Sequence, residues 1–76
     1  MDRATLERNL AQVVRDLRSA SDDIAQQHET LKELVRFGED TTEALRSIGI
    51  LEHTHLIFCS LRDQLGEELA ALDPRS

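Results

Sequence analysis

The segment Phe37-Gly38-Glu39-Asp40 (FGED) separates two long stretches whose apolar residues recur with helical spacing. Gly38 suits the left-handed conformation that closes a helix, because glycine has no Cβ to oppose a positive φ. Asp40 followed by Glu43 resembles a capping box, which satisfies backbone N–H groups at the start of a helix. A connection this short makes the second helix fold back antiparallel on the first. The segment therefore predicts a helical hairpin.

One apolar stripe runs along the predicted first helix, about residues 3–36. Its members alternate at spacings of four and three, the heptad pattern of a helix packed against another helix. They are Leu6, Leu10, Val13, Leu17, Ala20, Ile24, Gln27, Leu31 and Leu34. Asp2 is a suitable N-cap. Residues 21–23 are of types that favour helix ends, but the stripe keeps its phase across them, which favours one continuous helix.

The predicted second helix, about residues 41–72, carries a matching stripe and ends before Asp73-Pro74. The stripe comprises Ala44, Ile48, Leu51, His55, Phe58, Arg62, Leu65, Leu69 and Leu72. A break at Gly49, which would give three helices, is the main alternative, because glycine weakens a helix interior. Residues 48–58 also alternate weakly as a strand would. The helical period on both sides of this segment favours one long helix.

The second helix has more apolar residues than its stripe contains. Ile50, Ile57 and Leu61 lie on one flank of the stripe, and Leu45, Leu56 and Cys59 lie on the other. One neighbouring helix cannot cover both flanks, and exposed apolar patches of this kind mark interfaces. The sequence therefore predicts an all-α antiparallel two-helix hairpin that pairs into a homodimeric four-helix bundle.

The residues predicted to contact a second copy or another protein are Ile50, Leu51, Leu56, Ile57, Phe58, Leu61 and Leu65. If dimerisation and partner capture used the same surface, the two would compete. Two polar residues, His55 and Arg62, interrupt the apolar stripe. Counting from the turn places His55 level with Asp23 and Arg62 level with Asp16, so we expect these pairs to set the register of the hairpin.

The segment ILEHTHLIFC, residues 50–59, suggests a metal site at first sight. Glu52, His55 and Cys59 share a helix face and are the most ligands that one chain offers. Zinc usually needs four protein ligands, or three protein ligands and a water molecule. His53 lies about 200° around the helix from His55, and the facing part of the first helix offers no inward glutamate. We therefore expect no metal and no cofactor. A thiol in an apolar stretch also lacks the electropositive setting of a catalytic cysteine, so we expect no enzyme activity.

His28-Glu29 matches the first two residues of a histidine-kinase phosphotransfer motif, but the continuation of that motif is missing. A solvated histidine is the simpler interpretation. Phosphotransfer at His28 and metal binding at His55 and Cys59 stay as alternative functions.

Composition restricts the remaining functions. The 76 residues form one predicted domain, 1–76, with one cysteine and a net charge of −6. An acidic chain without tryptophan or tyrosine is not suited to binding nucleic acid. No apolar run is long enough to span a bilayer, and no secretion signal is recognisable. We expect a complete, cytoplasmic protein. Lys32 is the only lysine among nine basic residues, which is typical of a GC-rich bacterial genome.

The negative charge belongs to the second half of the chain. Residues 39–76 contain eight acidic and three basic residues, whereas residues 1–38 contain seven and six. An apolar surface bordered by Glu52, Asp63, Glu67 and Glu68 is typical of a docking site for a basic, amphipathic protein. A solvated acidic face is the alternative interpretation.

In size, acidic balance and the pairing of its two apolar stripes, the chain resembles the small two-helix bacterial antiactivators of the TraM type. Those proteins bind LuxR-type quorum-sensing activators and prevent them from acting on DNA. The resemblance implies a regulator that sequesters a transcriptional activator. It rests on architecture, so it assigns a role to no residue. Small secretion-system co-chaperones are similar hairpins and are the second candidate class.

Overall fold

A computed structural model describes residues 2–72 of the chain. Over this range it contains two helices, α1 (Arg3–Arg36) and α2 (Thr42–Leu72), which pack against each other along their lengths. The prediction of an all-helical hairpin is confirmed, and the pairing of two copies stays a prediction. Both helices are continuous, so neither residues 21–23 nor Gly49 breaks them. The Asp73-Pro74 stop signal lies outside the described residues.

The ends of α1 are closed as the sequence predicts. The Asp2 carboxylate accepts a 2.8 Å hydrogen bond from the backbone N–H of Thr5, and this bond holds the pKa of Asp2 below its usual value. At the other end Gly38 has a φ of +68°. The backbone N–H groups of Gly38 and Glu39 donate to the carbonyls of Val35 and Leu34. This is a Schellman motif, which requires the left-handed residue that glycine provides.

The start of α2 differs from the predicted capping box. The backbone carbonyl of Thr41 accepts the first helical hydrogen bond, from Leu45, so the helix begins one residue later than expected. Asp40 therefore lies just outside the cap. Its carboxylate accepts from both the N–H and the hydroxyl of Thr42, which lowers the pKa of Asp40, first through the hydroxyl. Glu43 accepts from Arg46 and does not reach back to the cap.

The core between the helices is small and entirely apolar. Its buried members are Leu6, Val13, Leu17, Ala20, Ala44, Ile48 and Leu65. Most other stripe residues, including Ile24 and Phe58, are only half-buried, and Arg62 and Leu72 are exposed. A single helix can cover only one stripe of its neighbour, so much of the stripe surface borders water.

The hairpin is a rod and not a compact globule. It measures 58 × 18 × 14 Å and has a radius of gyration of 17.3 Å. A compact domain of this length would have a radius of gyration of about 11 Å. The extended shape leaves a large fraction of the apolar residues of α2 uncovered.

Candidate functional site

The most prominent surface feature is an exposed apolar strip on one flank of α2, formed by Ile50, Ile57 and Leu61. Their side chains are 61%, 53% and 39% exposed, respectively. They point about 115° away from the direction of α1, by the rotation of 100° per residue in a helix. We call these three residues the Ile50 strip. Because large aliphatic side chains gain about 25 cal/mol per Å² on leaving water, this strip favours contact with a protein.

A second exposed apolar surface lies on the opposite flank of α2. It consists of Leu45 and Leu56, which are 55% and 65% exposed, with the half-buried Cys59 at its inner edge. We call these residues the Leu56 strip. It points about 115° from α1 in the other direction. Between the two strips, the face of α2 opposite α1 carries small or polar residues that are all exposed: Gly49, His53, Ser60 and Glu67.

The Ile50 strip borders a series of shallow grooves between the helices. Ile50 lines the groove nearest the turn, and Leu61 lines the groove nearest the free ends. Asp23 and Leu51 are shared by the first groove and its neighbour, so these two are continuous. Most of the wall that α1 contributes is polar: Asn9, Gln12, Asp16, Ser19, Asp23, Gln26 and Gln27, with the core residues Val13 and Ala20 at its base. The large apolar residues on this side of the hairpin therefore come from α2.

The seven predicted interface residues fall into three groups. Ile50, Leu56, Ile57 and Leu61 are exposed and available to a partner. Leu51 and Phe58 are half-buried at the junction with α1. Leu65 belongs to the core and is 7% exposed, clustered with Leu6, Val13 and Leu17. Within one hairpin Leu65 therefore faces α1 and not the exposed strips, because its position in the stripe turns it towards α1.

The four predicted register-setting residues do not pair as expected. In the described residues, 2–72, no ion pair joins His55 to Asp23 or Arg62 to Asp16. The Arg62 guanidinium instead donates to Asp63 at 3.1 Å. Asp16 accepts from Gln12 at 2.9 Å, and His55 contacts Cys59.

The two expected ion pairs are missing because the acidic and the basic side chains point to opposite sides of the junction between the helices. Asp16 and Asp23 line the grooves beside the Ile50 strip. His55 and Arg62 turn towards the other flank, where Cys59 and Asp63 lie. Heptad counting places residues at the same level along the axis, but it does not place them on the same side of the junction. Within residues 2–72 the two expected ion pairs are therefore not formed, and a register-setting role for these four residues stays a prediction.

The residues of the suggested metal site do not converge. His55 Nδ1 lies 3.7 Å from Cys59 Sγ, but the Glu52 carboxylate points to His28 of α1, with Oε1 3.9 Å from Nε2. Over residues 2–72 no three histidine, cysteine, aspartate or glutamate side chains are grouped to hold a metal. The arrangement offers a half-buried thiol–imidazole contact and an exposed histidine–carboxylate pair.

The link between His28 and Glu52 was not predicted. His28 lies beside the α1 stripe, and Glu52 lies on the flank of α2 that carries the Leu56 strip. A comparison of flanking residues at matching levels, in addition to the stripe residues, would have found this pair. It places one charged contact between the helices on the Leu56 side of the hairpin.

Comparisons with known proteins do not assign the chain to a family. Neither described helix combines the length and the apolar character that crossing a membrane requires. No family model, no curated protein and no solved structure gives a match to the chain.

Proposed function

We propose that the chain is a small protein-binding regulator that acts as a homodimer and sequesters a larger protein, most plainly a transcriptional activator. The observation that supports this is the pair of exposed apolar strips on α2. Over the described residues, 2–72, the hairpin buries seven apolar residues but exposes six large ones on α2 alone: Leu45, Ile50, Leu56, Ile57, Leu61 and Leu72. Burial of such residues is the usual source of affinity at protein interfaces.

The charges around the strips favour a basic partner. Glu67 and Glu68 are exposed, and in the part of the chain that the structure describes no ion pair engages them. Glu52 and Asp63 have partners, but both side chains are more than half exposed. An apolar surface with an acidic border complements an amphipathic helix with a basic border, both in steering and in the final contact.

The architecture supports an antiactivator in particular. A two-helix hairpin of this size, with an acidic balance overall, has the form of the small antiactivators that the sequence resembles. DNA-binding proteins carry basic surfaces for phosphate contact. An acidic apolar rod that binds such a surface, or the helices beside it, would compete directly with DNA.

The test is a DNA-release assay with a purified LuxR-type activator and its fluorescently labelled operator. Addition of the wild-type protein should lower the anisotropy of the operator by removing the activator. Leu56→Glu should raise the concentration needed by about tenfold or more, because it places a charge in an apolar contact. Val35→Glu is the matched control, since Val35 is also 65% exposed but lies at the end of α1.

Failure of the wild-type protein to release DNA, at concentrations far above those of the activator, would contradict the antiactivator proposal. Equal loss of activity in Leu56→Glu and Val35→Glu would contradict the assignment of the surface.

A further inference from the structure

The Ile50 strip is the centre of a longer heptad seam. Residues at alternating spacings of three and four continue it in both directions: Ser47, Ile50, Thr54, Ile57, Leu61 and Gln64. The seam has Ile50, Ile57 and Leu61 around a central Thr54 and is polar at both ends. The three large aliphatic residues are exposed, and Ser47 and Thr54 are half-buried at the edge of the junction with α1. A heptad seam of this kind packs against another helix, with side chains of each helix set between those of the other.

We propose that a second copy of α2 occupies this seam, antiparallel, with Ile50 of each copy against Leu61 of the other. In this register Thr54 meets Ile57, and Ser47 meets Gln64. Each contact occurs twice around the two-fold axis, so the dimer has four central layers, two of Ile50 with Leu61 and two of Ile57 with Thr54, closed by polar layers. The proposal rests on the homodimer of the proposed function and specifies how that homodimer is built.

Other registers place charge against the apolar centre. A shift of one heptad in one direction sets Ile50 against Glu68, and the opposite shift sets Leu61 against Glu43. Burial of a carboxylate against an aliphatic side chain is costly. A parallel pair would keep the apolar layers, but it would bring Glu67 and Glu68 against their own copies.

Electrostatic complementarity favours the same arrangement. Arg46 and Glu67 come directly before Ser47 and Glu68, which occupy equivalent positions of the seven-residue repeat. In an antiparallel pair these flanking positions face each other, so the register brings Arg46 of one copy to Glu67 of the other. Within one chain Arg46 contacts only the exposed Glu43, at 3.1 Å. Glu43 and Glu68 form the one unfavourable pair. It falls beyond the last polar layer, where the Glu43 side chain is 82% exposed and therefore screened by water.

The arrangement separates self-association from partner capture. The Leu56 strip lies on the other flank of α2, so Leu45 and Leu56 stay exposed in the dimer. The occupant of the Ile50 strip is a second copy, and the occupant of the Leu56 strip is the protein that the regulator sequesters. The dimer would thus present two identical partner sites.

Charge exchange between Arg46 and Glu67 tests the proposal. By analytical ultracentrifugation, Arg46→Glu should raise the dimer dissociation constant about three- to tenfold, because two exposed attractive pairs become repulsive. Glu67→Arg should have a similar effect, and the double exchange should restore dimerisation. Positions 46 and 67 are 21 residues apart on one helix, a distance of about 31 Å. The exchanged charges therefore cannot attract each other within one chain, so a restored dimer requires contact between two chains. Failure of the double exchange to restore the wild-type constant would overturn the register.

Cysteine cross-linking gives an independent readout. In a Cys59→Ser background, a mixture of Ile50→Cys and Leu61→Cys chains should form an intermolecular disulfide under mild oxidation. Neither variant should cross-link with itself, because positions 50 of the two copies would lie about 16 Å apart along the axis. Self-cross-linking of each variant would establish a parallel pair and overturn the proposal. A wild-type protein that stays monomeric would overturn both the register and the homodimer, whereas failure of DNA release alone would leave the register standing.

Discussion

The imidazole of His28 lies 3.9 Å from the carboxylate of Glu52, and within residues 2–72 this is the one histidine–carboxylate contact that joins α1 to α2, an ion pair only when the imidazole is protonated. The other pairs connect neighbours on a single helix. The residues buried between the helices over the same range are all apolar. The hairpin is therefore held together by a thin core, and its stability should depend on apolar burial far more than on charge.

Replacement of His28 by alanine should accordingly change little. Both side chains of the pair are about half exposed, and such pairs contribute about 0–1 kcal/mol before screening by salt. We expect a change in the free energy of unfolding below about 0.5 kcal/mol, measured by urea denaturation followed by circular dichroism. DNA release should also be unchanged. A variant that keeps its helical spectrum but loses all function would support phosphotransfer at His28 instead.

The glycines of α2 should be replaceable with a gain in stability. A Cβ at Gly49 or Gly66 would meet no atom within 4 Å. Alanine at either position should stabilise the protein by about 1 kcal/mol, because it reduces the conformational freedom of the unfolded chain. The gain should appear as a rise in Tm.

Gly38 supplies the matched contrast to these two positions. Its φ of +68° is unfavourable for alanine although the surrounding space is open, so Gly38→Ala should destabilise the hairpin by about 1 kcal/mol. Equal effects at positions 38 and 49 would contradict the assigned backbone conformations.

The cap of α1 should make stability depend on acidic pH. Hydrogen bonding from Thr5 lowers the pKa of Asp2 in the folded protein below the unfolded value of 3.8. The stabilisation is therefore complete above that value and is lost as the pH falls through the lower, folded pKa. The Tm of the wild type should exceed that of Asp2→Ala at neutral pH, and the difference should shrink below about pH 4.

Asp2→Asn is the control, since asparagine caps a helix without titrating. Its advantage over Asp2→Ala should persist in acid. A wild-type advantage over Asp2→Ala that stays constant as the pH falls far below 3.8 would contradict a role for the Asp2 carboxylate, because the advantage should disappear as the folded carboxyl is protonated.

Leu56 and Ile57 are adjacent in sequence but serve different contacts in the proposed assembly. Leu56→Glu should leave the dimer intact and reduce capture of the activator, because Leu56 lies on the flank that the dimer leaves exposed. Size-exclusion chromatography with light scattering measures the dimer, and the DNA-release assay measures capture. Dissociation of the dimer by Leu56→Glu would show that the Leu56 strip forms the self-association surface.

The hairpin was predictable because local and long-range signals agree. Gly38 and Asp2 specify helix ends through their own backbone preferences, and the two heptad stripes specify which faces meet. The start of α2 was misplaced by one residue, since Asp40 and Thr41 are both acceptable caps and only the observed hydrogen bonds distinguish them.

The details of the surface were less predictable than the stripes. Leu65 occupies the core although it lies close to the Ile50 strip in sequence. His55 contacts Cys59 and Arg62 donates to Asp63, both on the same helix. Heptad spacing alone does not give the direction in which a side chain beside the junction points. The exposed character of Ile50, Leu56, Ile57 and Leu61 followed from the sequence, because one neighbouring helix cannot cover two flanks.

The most direct test of the central claim, that the exposed flanks of α2 are protein-binding surfaces, is sedimentation equilibrium of the wild type and Ile57→Glu. The wild type should sediment at twice the 8.6 kDa mass of the single chain. Ile57→Glu should sediment as a monomer with an unchanged helical spectrum, because the substitution places a charge in the middle of the seam but outside the hairpin core. A wild-type protein that is monomeric at every concentration, or an Ile57→Glu variant that dimerises as the wild type does, would contradict the claim.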